Sequence, residues 1–87
     1  MKVEYNLDVL KPHQPPNDML AHSLKSVKGA KYVSIKIDEI DEKTTSIFIK
    51  IMGTEELTVE NIKGELANYN CSLHSLDEVI FMDDDWK

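Results

Sequence analysis

Hydrophobic residues recur at every second position in four segments of this chain and at helical spacing in two. The order of those segments constrains the fold more than any motif does. Val3, Tyr5, Leu7 and Val9 alternate with Glu4, Asn6 and Asp8, the pattern of a strand with one buried face. Pro12, Pro15 and Pro16 then remove backbone donors and push each preceding residue out of the helical region, so Lys11–Pro16 reads as a loop. Asn17 suits an N-cap and Asp18 the positive end of a helix dipole; Leu20, Leu24 and Val27 follow at i, i+4 and i+7, beside Met19. Lys25 and Lys28 favour the C-terminal end of that helix, and Gly29 suits a left-handed cap.

Val33, Ile35 and Ile37 form a second alternating block, Asp41–Thr44 a turn, and Ile47, Ile49 and Ile51 a third block. Two such blocks around a short polar link read as an antiparallel hairpin, closed by Gly53. Thr58 can cap a second helix with Val59, Ile62, Leu66 and Tyr69 inward. Gly64 inside it costs roughly 1 kcal/mol relative to alanine unless it admits a close neighbour. Asn70 suits the helix exit, and a fourth strand runs from about Cys71 to Phe81. That strand breaks its own alternation between Leu73 and Leu76. A β-bulge near Ser75–Leu76 restores it and re-aims His74 or Asp77.

The order βαββαβ, with no linker, predicts one α+β domain over residues 1–87. Two right-handed βαβ units give a ferredoxin-like sandwich: antiparallel sheet order 4-1-3-2, with both helices on one face. Residues 82–87 are an acidic tail expected to fray, because Asp83, Asp84 and Asp85 repel one another.

Composition removes several functions. There are 16 acidic residues against 10 basic ones, a formal charge of −6, and every basic residue is lysine. A net acidic chain without a guanidinium suits neither phosphate clamps nor base-edge readout, so no nucleic-acid partner is expected. Cys71 alone makes neither an internal disulfide nor a cysteine zinc cluster. No apolar run is long enough to span a membrane and none reads as a signal peptide, which points to the cytoplasm.

The predicted topology gathers polar residues at one end of the sheet. Asp8 and His13 follow the first strand, Glu39 and Asp41 end the second, and His74, Asp77 and Glu78 lie on the fourth. Imidazole and carboxylate together could hold a divalent cation, although aspartates at strand ends also serve as ordinary turn formers. The sheet face without helices is expected to carry Leu10, Tyr32, Ile40, Phe48, Met52 and Ile80 among polar neighbours. An apolar open face on a small chain suggests a second copy as partner.

Three stretches resemble one family. Leu7–Pro15 (LDVLKPHQP) looks like its hallmark LDxLKPHxP, Glu39–Asp41 like its EID, and Leu73–Val79 (LHSLDEV) like its IHSxDEV. These motifs, with close spacing over about residues 3 to 80, resemble the mainly archaeal domain of unknown function 211. The resemblance implies a ferredoxin-like fold, ring-like or higher homo-oligomers, and metal binding as a recurring suggestion that puts weight on Asp8, His13, His74, Asp77 and Glu78. The family usually has glycine where this chain has Tyr32, Asn70 and Cys71, and its loop at Gly53–Leu57 is one residue shorter.

The sequence therefore points to a homo-oligomeric binding module, with a divalent cation or a small ligand at the sheet edge. The alternative is a ligand-free structural or regulatory assembly. An enzyme with His13 or His74 as base and Asp77 or Glu78 as orienter is set aside. The glycines Gly29, Gly53 and Gly64 are too scattered to build a phosphate loop or an oxyanion hole.

Overall fold

A computed structural model describes residues 1–86 as β1 (Lys2–Pro12), α1 (Asn17–Lys25), β2 (Ala30–Ile40), β3 (Thr44–Thr54), α2 (Val59–Ala67) and β4 (Ser72–Met82). The strands form one antiparallel sheet in the order β2-β3-β1-β4, the expected ferredoxin-like arrangement. The two central strands supply half of the buried hydrophobic residues. Val3, Leu7 and Val9 of β1 and Ile47, Ile49 and Ile51 of β3 are almost completely buried against Leu20, Leu24, Ile62 and Leu66 of the helices. Each such side chain contributes about 1.5–3 kcal/mol through burial.

The helix ends follow local chemistry. Thr58 caps α2, its Oγ1 accepting from the Asn61 N–H at 3.2 Å, as its sequence position implies. Asn17 is not the N-cap of α1. The extended backbone of Pro16 takes that place, its carbonyl accepting from Leu20 N–H at 3.1 Å, and Asn17 becomes the first helical residue. α1 closes on Ser26 in the right-handed region, so Gly29 is not its cap; it turns the chain three residues further on, with φ +86°. A Cβ on Gly53 would lie 1.9 Å from the Gly29 carbonyl oxygen, so only glycine lets the α1 exit touch β3 there. Around Gly64 a Cβ would meet nothing within 4 Å, so no close neighbour explains that glycine. Asn70 takes φ 60°, which fits a position where glycine is usual and asparagine is the common substitute.

Each strand has 11 residues and each helix 9. At standard rises the strands are roughly 36 Å long and the helices roughly 13 Å. The sheet therefore overhangs its helices, in a body of 44 × 20 × 19 Å. No helix among the described residues is long and apolar enough to cross a membrane.

Both edge strands carry extra residues. Against β1, the β4 register skips at His74 and again at Asp77. Against β3, the β2 register skips at Lys31 and Asp38. Bulges of this kind twist an edge strand away from further pairing. The skip at Asp38 also corrects one expectation. Ile40 pairs with Thr45, which is buried, so Ile40 lies on the helix-bearing face and not on the open one. The acidic tail makes contacts over its described part: Lys2 Nζ donates to the Trp86 carbonyl at 2.9 Å, and the Met1 ammonium lies 2.8 Å from Asp84. Each partner stabilises the other's charge, which raises the amine and lowers the carboxyl. Lys87, the end of the expected frayed segment, lies outside the described residues.

Candidate functional site

The open face can be assembled row by row from the register. Tyr32, Met52, Glu4 and Ile80 form one row across the four strands, and Ser34, Lys50, Asn6 and Glu78 the next. Lys36, Phe48, Asp8 and Ser75 form a third, and Glu39, Ser46, Leu10 and Ser72 a fourth. Leu10, Tyr32, Phe48, Met52 and Ile80 thus lie on the face expected for them. The row of Ser34, Lys50, Asn6 and Glu78 crosses the sheet between Tyr32, Met52 and Ile80 on one side and Phe48 and Leu10 on the other. The open face is therefore two apolar ends around a polar middle.

The expected ligand residues do not share one place. Glu78 stands level with Asn6, and Asp8 with Ser75, both within the sheet, whereas His13 lies beyond Pro12 at its end. Six residues of β1 separate Asn6 from Pro12, roughly 20 Å along the strand. No single ion spans that distance with bonds of about 2.0–2.6 Å. Among the described residues, no three His, Cys, Asp or Glu side chains are grouped so as to hold a metal ion.

His13 has a different employment. Its Nε2 donates to the Glu42 carbonyl at 2.9 Å, because a carbonyl can only accept, and its Nδ1 meets Thr45 Oγ1 at 3.2 Å. The imidazole ties the loop after β1 to the β2–β3 hairpin. Beside it stands a residue that sequence reasoning placed in a loop. Lys11 is the last inward position of β1 and only 3% exposed. Its Nζ donates to the carbonyls of Pro12 at 2.8 Å, His13 at 3.2 Å and Pro15 at 2.8 Å, so all three ammonium protons are used. One signal for this was available: Lys11 continues the odd-numbered inward series Val3, Tyr5, Leu7, Val9. Cys71 is near enough to Lys11 to feel its charge, but burial dominates and pushes the thiol up, away from reactive thiolate.

On β4 the polar side chains remain at the surface. His74, Asp77 and Glu78 are exposed. Ser75 Oγ donates to Asp77 Oδ1 at 2.6 Å, and Asn6 Nδ2 donates to Glu78 Oε1 at 3.1 Å and to Glu4 Oε2 at 2.8 Å. Asp8 Oδ1 is buried without a hydrogen-bond partner. Next to this group, over the β2–β3 ladder, lies a shallow depression bordered by Asn6, Ser34, Lys36, Phe48, Lys50 and Asp77.

Comparison with known proteins gives two findings. The family model for domain of unknown function 211, described as uncharacterized ArCR, matches residues 4–84. An uncharacterized protein of Methanocaldococcus jannaschii is 34% identical over 74 residues, which covers 85% of this chain and 75% of that protein.

Proposed function

The chain belongs to the domain-of-unknown-function 211 family, and from that premise we propose that it is a homo-oligomeric binding module. Its copies meet along the helix-bearing flanks of the two edge strands. The observation that carries this is the apolar surface the short helices leave uncovered. On β4, Leu76, Val79 and Phe81 pair with the inward residues Leu7, Tyr5 and Val3, yet are 39%, 42% and 60% exposed. On β2, Ile37 and Ile40 pair with Ile47 and Thr45 and are 54% and 64% exposed. Neither flank is interrupted on its own face by the polar row that divides the open side, and clustered apolar exposure of this kind favours association.

The two flanks lie on opposite edges of the sheet and differ from one another. A contact of β4 on one copy with β2 on the next is heterologous, and repeated contacts of that type close into a ring when the rotation allows. The open face stays accessible in such an assembly, which leaves it for a ligand.

Light scattering on the purified protein tests this. A mass above one chain is expected, with Phe81→Glu and Ile40→Glu each lowering it and Phe48→Glu leaving it unchanged. A wild type that stays monomeric at high concentration ends the proposal.

A further inference from the structure

The net charge of the chain hides a local reversal. On the open face, Lys36 of β2 pairs with Phe48 of β3, and Lys50 of β3 pairs with Ser34 of β2. The two lysines are therefore diagonal neighbours, with Cβ atoms roughly 7–8 Å apart or less. Two like charges at that spacing repel unless something sits between them. Carboxylates are plentiful on this chain, 16 of 87 residues. Even so, neither lysine has a carboxylate within ion-pair distance among the described residues, where the salt bridges are Met1–Asp84 and Lys28–Glu56. The hydroxyl of Ser34, on the same rung as Lys50, makes no hydrogen bond among the described residues.

These groups border one shallow depression, and its remaining walls are informative. Phe48 and Tyr32 stand at its two ends, 42% and 49% exposed. Tyr32 and Lys36 are separated by four residues of one strand, roughly 13 Å. Lys36 shares a rung with Phe48, and Lys50 lies on the rung between that one and the rung of Tyr32. Asp77 forms the wall on the β1–β4 side, already accepting from Ser75, so an anion is confined to the β2–β3 side. Lysine lacks the bidentate fork of arginine but serves phosphate well as a point charge. Aromatic faces add stacking area for a planar ring.

We propose that this depression binds an organic phosphate that carries a planar ring. The phosphate lies between Lys36 and Lys50 with Ser34 as a further donor, and the ring lies against Phe48 or Tyr32. Aryl phosphates and nucleoside monophosphates share this chemistry. The absence of arginine argues against a phosphate clamp for the chain as a whole, but not at one spot where two lysines stand without an ion pair beside the single carboxylate of Asp77. The inference rests on the functional reading above only in requiring that the open face stay uncovered in the assembly.

Calorimetric titration of the whole chain with phenyl phosphate, adenosine monophosphate and inorganic phosphate tests it. At least one ring-bearing phosphate is expected to saturate, more tightly than inorganic phosphate. The double variant Lys36→Ala/Lys50→Ala loses about tenfold or more in affinity, as expected for charge-assisted contacts, while Lys43→Ala in the hairpin turn does not. Both lysines are on the surface, so the fold survives their removal, and circular dichroism checks this. Phe48→Ala weakens the ring-bearing ligands and leaves inorganic phosphate as it was. Preference for phenyl phosphate or for the nucleotide identifies the source. No saturable binding, or binding equal in the double variant, overturns the proposal. Light scattering on the same samples separates the two readings. If Phe48→Glu lowers the mass, the open face is an interface and the flank assembly fails. If it does not, a failure to bind falls on the phosphate site alone.

Discussion

The two histidines that resemblance groups together live in opposite environments. His13 has both ring nitrogens engaged, beside a buried lysine with every proton engaged. His74 is an exposed extra residue in an edge strand, two bulges from a regular ladder. The loop after β1 is polar chemistry turned inward to fix backbone. The β4 stretch is polar chemistry left at the surface, its carboxylates holding Ser75 and Asn6. The difference teaches that a shared motif of His, Lys and Asp does not imply a shared site. What separates the roles is whether the polar atoms find backbone partners.

The strongest way to break this contrast is Lys11→Met. Methionine keeps the apolar stem but leaves the carbonyls of Pro12, His13 and Pro15 without their donor. Buried acceptors left unpaired are expensive, so a loss of about 3 kcal/mol in urea unfolding is expected. A loss under about 1 kcal/mol would mean that water replaces the ammonium and that the loop is not held from inside. His13→Ala is expected to cost less, about 1–2 kcal/mol, because the Glu42 carbonyl can turn to solvent. Full stability in this variant would remove the latch between loop and hairpin. The smallest effect is expected on the other side of the comparison. His74→Ala and Asp77→Ala should each lie within about 0.5 kcal/mol of wild type, as surface changes do. A larger loss there would show that the bulges depend on their side chains, and the two regions would differ less than they do on geometry.

Strand existence and order were legible because alternation by two is hard to imitate. Irregularities were legible only where they disturbed apolar residues. Leu73 and Leu76 stand three apart and betray a bulge, although the extra residues are His74 and Asp77 rather than Ser75 or Leu76. The skip at Asp38 disturbs no such pattern, and so Ile40 was assigned to the wrong face. Lys11 was hidden by its charge: a lysine before proline looks like the start of a loop, and only the inward register argues otherwise. The helices end at Lys25 and Ala67, short of Val27 and Tyr69, which still pack on the core from beyond the helical turns. Apolar spacing alone does not separate those positions from helix. It therefore gave no warning of the overhang, or of the uncovered flanks on β2 and β4. The candidate ligand residues were all read as lying at one end of the sheet, whereas the antiparallel register leaves His13 there and puts Asp8 and Glu78 well inside it.

The overhang also governs how this molecule behaves in a column. A body of 44 Å against 20 and 19 Å is a rod about twice as long as it is wide. Such a particle diffuses more slowly than a sphere of its mass. A single chain of 10.0 kDa will elute only slightly ahead of globular standards of its mass, since its radius of gyration of 12.6 Å is close to the roughly 12 Å of a compact chain this long. The elongation shifts a monomer far less than a second copy would, so an elution position well ahead of that mark reports assembly rather than shape.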